Sequence, residues 1–203
     1  MNDKKGNIMN RAIKFKLKNG KVVTIRRIRG SDYDAVMKFF DKFSRGIGAF
    51  QTCQYAGQPK KDKEKSLKAY ENKDSLYIGA WDGDNVISVS SIDKIRPNHP
   101  YYMGKSASIG ISMLDKYTHN GIGNKMLHIL EKWARENSVH KIECEIRHMN
   151  IPSIANCIKN GFLIIGLQFI FFNFSMMFSS AGNQFTLSNS FGFNHLASSC
   201  SNS

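Results

Sequence analysis

Acidic residues are scarce in this chain, and over its last stretch charge of either sign is missing. The 203 residues include 29 Lys and Arg against 16 Asp and Glu, a formal charge of +13. All of these lie in residues 1–160; from Gly161 to Ser203 there is no Asp, Glu, Lys or Arg, and the only His is His195. Residues 1–30 lack an apolar run of signal-peptide type and are basic and polar, so a cytoplasmic chain is expected rather than a secreted or membrane-inserted one. The cysteines, at 53, 144, 157 and 200, form no CxxC pair and have no His spacing suited to zinc. Neither a disulfide framework nor a metal site is therefore expected. No internal repeat is present, and the length suits one domain. Charged and regularly spaced apolar residues share the first 160 positions, which excludes wholesale disorder.

A basic excess is the footprint of a nucleic-acid binder. Ten of the cations precede Gly30, and Lys14, Lys16 and Lys18 alternate with Ile13, Phe15 and Leu17 as on a strand with one wet face. Without an RNA-type aromatic signature or a Cys/His finger, a solvated face is the preferred reading. Nucleic acid and membrane are not the partners expected.

Residues 12–18 and 22–28 flank Asn19-Gly20, predicting a β-hairpin with a type I′ turn. Ser31 with Asp34 forms a weak capping box, and Val36, Phe39, Phe40 and Phe43 predict a helix over 32–43. Residues 44–59 read as a loop and 61–72 as an exposed, charged helix. A second hairpin is predicted over 75–81 and 86–92, then a loop with Pro97 and Pro100, then a strand over 107–114. Ile122, Met126, Ile129, Leu130 and Trp133 trace one face of a helix ending near Asn137. Ile142, Cys144 and Ile146 alternate in a further strand, and Pro152 opens a short helix stopped at Asn160-Gly161.

The most informative segment feeds a strand into Asn120-Gly121-Ile122-Gly123 and then an amphipathic helix. Unpaired N–H groups and the positive dipole end converge at such a place, which suits a phosphate. Alone the motif is weak: a Walker A Lys-Ser/Thr pair and a third Rossmann glycine are both missing. Its neighbours add specificity. Ile109-Gly110-Ile111-Ser112-Met113-Leu114, five residues, Asn120-Gly121-Ile122-Gly123, and downstream Asn150-Ile151-Pro152-Ser153-Ile154-Ala155-Asn156-Cys157, with Gly161-Phe162, together resemble the GNAT superfamily of acyl-CoA N-acyltransferases over residues 22–166.

The resemblance implies a mixed α/β fold: a mostly antiparallel central sheet whose fourth and fifth strands, here 107–114 and 142–146, splay apart, flanked by about four helices. It implies acetyl-CoA as co-substrate. Backbone groups of Ile111 and Met113 would bond the pantetheine, His119, Asn120, Gly121, Ile122, Gly123 and Asn124 would cradle the pyrophosphate, and Asn150 would contact the cofactor side of the cleft. A lysine-like amine is only about one part in 2,500 neutral at pH 7, so a base or water relay is needed. Three positions depart from the family pattern: Ser108 stands where many relatives carry a Glu, Cys157 where many carry a Tyr acid, and Thr118 where Gln or Arg is usual. Cys157 and Tyr117 are the candidate proton donors, and Tyr101 and Tyr102 could reach the cleft from a loop. His128, His140 and His148 read as surface or packing residues.

The expectation is then a GNAT domain over 1–170 that transfers acetyl from acetyl-CoA to a primary amine, of a small molecule or a protein, in a ternary complex. Residues 44–72 would shape acceptor choice, and a homodimer is an open form of assembly. The alternative is a catalytically degenerate CoA-binding or nucleic-acid-associated module. Residues 171–203 are an uncharged Ser/Asn/Phe-rich tail, read as a last strand plus disorder or as a frame-shifted ending, which sequencing the locus decides.

Overall fold

The computed structural model describes residues 11–46, 63–95, 97–98 and 104–166. The expectations for 47–59, for Tyr101 and Tyr102, and for the tail after 166 lie outside the described residues. By its own packing the chain divides into Met1–Leu163 and Ile164–Ser203, and only 164–166 of the second unit are described.

Alternating apolar residues make the first hairpin, β1 (Ile13–Lys16) and β2 (Val22–Arg27), with Ile13 opposite Ile25. Its turn corrects the type I′ expectation. Only Gly20 is left-handed, at φ 85°, and not Asn19. Leu17 N–H donates to the Lys21 carbonyl at 2.7 Å, Gly20 N–H to the Leu17 carbonyl at 3.0 Å, and Lys21 N–H to Asn19 Oδ1 at 3.1 Å. That side-chain bond favours a right-handed Asn19, leaving glycine alone at the positive φ of a three-residue connection.

Helix α1 (Tyr33–Ser44) follows a single 3-10 turn at Gly30–Asp32. Asp32, rather than the expected Ser31 with Asp34, closes this entry. Its carboxylate accepts from Arg29 N–H at 2.8 Å and from both Arg26 guanidinium nitrogens at 2.7 and 2.8 Å. A two-pronged charged bond outcompetes a serine hydroxyl. Burial alone would raise the Asp32 carboxyl, but the bonds from Arg26 and Arg29 hold it below its ordinary value.

Helix α2 (Lys63–Glu71) precedes the second hairpin, β3 (Ser75–Asp82) and β4 (Asn85–Lys94), which turns on Gly83 at φ 58°. β4 carries one extra residue where the register shifts between Ala80 and Trp81. Gly79 is obligatory beside it, since a Cβ there would come within 2.5 Å of the Trp81 ring. β5 (Ser106–Met113), α3 (Ile122–Glu136), β6 (Lys141–Glu143) and α4 (Ile151–Lys159) complete the order. The sheet runs β1 to β6 in sequence, antiparallel except for the parallel β5–β6 pair. With the N-terminal hairpin counted as two strands, the splayed pair is the fifth and sixth. β6 is shorter than expected, because its ladder stops at Glu143 and Cys144 to Ile146 run on outside the sheet.

Two apolar cores flank the sheet. On one face α3 buries Ile122, Met126, Ile129, Leu130 and Trp133 against Ile25, Ile78, Ile92 and Ile109. Each such side chain is worth about 1.5–3 kcal/mol when fully buried. On the other, Val36, Phe39 and Phe43 of α1 pack with Tyr70, Trp81 and Val89. Among the described residues no helix is long and apolar enough to cross a membrane.

The loop after β5 is tied to the second hairpin by a buried hydroxyl. Tyr117 Oη donates to Asp82 Oδ2 at 2.5 Å, and Lys21 Nζ lies 2.6 Å from the same oxygen. Burial and the bond to Asp82 push the phenol up to about 12, while bonds from Lys21 and Tyr117 hold the carboxyl below its ordinary value. Asp82→Ala leaves the phenol without its acceptor and should lower the unfolding free energy at pH 7 by about 1–3 kcal/mol in urea titration. Because the folded carboxyl is depressed, the contribution is complete above roughly pH 4 and is lost as the pH falls through the folded value. An Asp82→Ala variant as stable as the parent at pH 7 would contradict the tie.

Candidate active site

The site begins with backbone polarity along β5. The Ser106 carbonyl accepts from Ile95 N–H at 2.8 Å, on the β4 side, whereas the Lys105 carbonyl accepts from His140 and Lys141 N–H at 2.7 and 3.1 Å, on the β6 side. Bonding sides alternate along a strand, and the β4–β5 register is unbroken from Ala107 to Met113. The backbone groups of Ile109, Ile111 and Met113 therefore face away from β4. Pairing with β6 covers only Ser106, Ala107 and Ser108. Beyond Ser108, among the described residues, no strand meets this edge.

The open edge leads straight into the glycine turn. After a 3-10 turn at Asp115–Tyr117, His119 (φ 61°) and Gly121 (φ 84°) are left-handed. A non-glycine residue in that region is uncommon. Asn120 Nδ2 donates back to the Thr118 carbonyl at 3.0 Å and the Tyr117 carbonyl at 3.4 Å, and Thr118 Oγ1 donates to the Asp115 carbonyl at 2.7 Å. Helical bonding in α3 starts with Lys125 N–H to the Gly121 carbonyl at 3.0 Å. The N–H groups of Ile122, Gly123 and Asn124 precede it, with no side-chain cap at Gly121 and no acid in the first turn. A Cβ on Gly123 would lie 3.7 Å from Met113 Cε, so the end of β5 and the start of α3 adjoin.

Helix α4 closes the other side. Asn150 caps it, Oδ1 accepting from Ser153 N–H at 3.3 Å. At its far end Asn160 Nδ2 donates to Asn124 Oδ1 at 2.8 Å, and Asn124 Nδ2 meets His128 Nε2 at 3.1 Å. The first turn of α3 is thus linked to the last turn of α4. Between these helices and β6, Cys157 Sγ lies 3.9 Å from Cys144 Sγ, both half-buried.

A family model described as Acetyltransferase (GNAT) family matches residues 45–162, more than half of the chain. The chain belongs to the GNAT acetyltransferase family. Solved structures of the same fold include the GNAT domain of S. lividans PAT, 16% identical, TM-score 0.63, covering 74% of this chain and 86% of that one. A GNAT-family acetyltransferase from Streptococcus pneumoniae is 17% identical, TM-score 0.62, covering 71% and 86%. The Salmonella typhimurium yncA protein, solved with its cofactor acetyl-CoA, is 18% identical, TM-score 0.59, covering 71% and 81%. No curated protein matches the chain significantly.

Within this GNAT fold the residues named from sequence fall into separate groups. Ile111 and Met113 stand on the open edge, and His119 to Asn124 form one continuous turn beside it. Asn150 is a helix cap, so its Oδ1 is already committed. The Tyr117 hydroxyl is likewise committed, to Asp82, on the side of the second hairpin. Ser108 is exposed and lies directly across the ladder from Asp93, whose Oδ1 accepts from Tyr77 Oη at 3.0 Å.

Asp93, Cys144 and Asn160 were not singled out from sequence. Asp93 and Ser108 become neighbours only through strand register. The period-2 run Ile142-Cys144-Ile146 did place Cys144 on one face, but α4 had to dock for its partner to appear. Two thiols this close share a proton. The bond from Cys144 outweighs burial and lowers Cys157 to about 7, while the same bond and burial push the Cys144 thiol up. Alkylation by iodoacetamide, followed peptide by peptide, should therefore rise for Cys157 with a midpoint near pH 7, with Cys144 lagging at every pH. In Cys144→Ala the Cys157 midpoint should move up toward about 8.5. Equal alkylation of both thiols across the range would contradict the shared proton.

Proposed function

We propose that this chain transfers the acetyl group of acetyl-CoA to a primary amine, of a small molecule or a protein, by direct attack in a ternary complex. The observation that carries the reading is the adjacency of the open β5 edge at Ile111 and Met113 to the first turn of α3, which has no side-chain cap. An extended pantetheine arm suits the first part and a pyrophosphate the second, since helix N–H groups and a basic chain both favour a multiply charged anion. The fold shared with the Salmonella protein that carries acetyl-CoA supports the choice of cofactor.

In this reading Ile111 and Met113 bond the pantetheine through their backbone, and His119, Asn120, Gly121, Ile122, Gly123 and Asn124 hold the pyrophosphate. Asn150 sets the start of α4 on the cofactor side. Asp93, beside Ser108 on the sheet, takes the proton from the incoming ammonium, because Ser108 offers no carboxylate. The amine attacks the thioester carbonyl, the carbon–sulfur bond breaks, and Cys157 gives its proton to the departing thiolate. A thiol of pKa near 7 is a competent donor to one near 8.5. Tyr117, tied to Asp82, fixes the turn instead. The domain spans 1–170, with 171–203 as an appended tail.

Isothermal titration with acetyl-CoA, followed by thiol release over an amine panel, tests this. Saturable binding and amine-dependent release are expected; no binding at millimolar acetyl-CoA would overturn the reading, and binding without release would favour a CoA-binding module. Gly123→Asp places a carboxylate in the first turn of α3, where it supports the helix dipole but repels a phosphate. Thermal stability should hold or rise while acetyl-CoA affinity falls by about tenfold or more; unchanged affinity would move the pyrophosphate elsewhere. With Cys157 as donor, kcat should decline as the pH rises through about 7. Cys157→Ala should lower kcat by about a hundredfold and flatten that limb; an unchanged limb would remove Cys157 from the reaction.

A further inference from the structure

The thiol pair offers chemistry that acyl transfer does not use. Cys144 sits where the chain leaves β6, Cys157 sits on α4, and 3.9 Å separates their sulfurs. A disulfide needs about 2.05 Å, so the sulfurs must approach by about 2 Å. Little opposes this: α4 contains no fully buried residue, and 144–147 pair with no strand. The 3.9 Å contact brings the two thiols into reach of each other, and the bond that lowers Cys157 and raises Cys144 suits Cys157 to attack and Cys144 to resolve.

We propose that Cys144 and Cys157 are a peroxide-responsive dithiol that closes to an intramolecular disulfide and switches the transfer site off. The Cys157 thiolate attacks one peroxide oxygen, the O–O bond breaks, and the other oxygen leaves as hydroxide and takes up a proton to become water. Cys157 is then a sulfenic acid. The Cys144 sulfur attacks it, the S–S bond forms, the S–O bond breaks, and the hydroxide leaves with the Cys144 proton as a second water. The two sulfurs give up two electrons and the peroxide accepts them; a thiol reductant reverses the bond by exchange. Closure fixes α4 to the end of β6, and through Asn160 and Asn124 this reaches the first turn of α3. The loss of transfer rests on the reading of Cys157 as proton donor, whereas the cross-link does not.

The full chain, reduced and then titrated with hydrogen peroxide, is alkylated, digested and mapped by mass spectrometry, with thiol release measured in parallel. The dominant product expected is a Cys144–Cys157 peptide that dithiothreitol reverses, forming as thiol release is lost. Oxidation at Cys53 or Cys200 first, or Cys157 passing to sulfinic acid while Cys144 stays alkylatable, would overturn the dithiol. A cross-linked protein that keeps its turnover would overturn the switch. No turnover in the reduced protein, with the cross-link still forming, would count against the transferase reading and leave the dithiol standing. In Cys144→Ser the cross-link should vanish and dimedone should trap a sulfenic acid at Cys157. The parental map decides the matter without the variant.

Discussion

A strand that outlasts its neighbour governs this molecule. β6 pairs with β5 for three residues and stops at Ser108, while β5 continues to Met113. Backbone N–H and C=O groups must be satisfied by something, and an open edge in a sheet is satisfied by water or by an extended ligand. The same strand then delivers the chain to Gly121, whose positive φ turns it into α3, whose first amides have no side-chain cap. Edge and helix end are consecutive in sequence, so one polypeptide segment builds both. The rest of the fold serves that placement: α3 is fixed by its buried face, and the turn before it by the Tyr117–Asp82 tie.

Much of this was legible in the sequence because it rests on local periodicity. The alternation in β1 and β2, the apolar face of α3 and the glycine turn each occupy a few neighbouring residues. What escaped was decided by competition or by distance. The first hairpin turn was settled by an Asn19 side-chain bond to Lys21, and the entry to α1 by Arg26, six residues from Asp32. β6 was overestimated because Ile142, Cys144 and Ile146 keep the period of a strand after the ladder has ended. Tyr117 shows what distance hides: the sequence sets a tyrosine near a glycine turn, and only the fold brings Asp82, far along the chain, to accept its hydroxyl.

The basic surplus suits the anionic cofactor of the proposed reaction. Several cations are paired locally, Lys21 with Asp82, Arg26 with Asp32 and Lys94 with Asp74. The remaining excess sets a positive field, which raises encounter rates with an anion such as the CoA moiety. In the proposed cofactor site the polar work would fall to backbone amides, which do not depend on the Thr118 side chain. In the proposed reaction the side-chain departures, Ser108 and Cys157, bear on proton movement and leave the backbone donors intact.

Amide hydrogen exchange on the full chain, with and without saturating acetyl-CoA, reads those donors directly. The amides of Ile111 and Met113 and of Ile122, Gly123 and Asn124 should slow together when the cofactor binds, with β1 and β2 unchanged. Binding that leaves all five amides exchanging at their free rates would contradict a cofactor site built from the open edge of β5 and the start of α3.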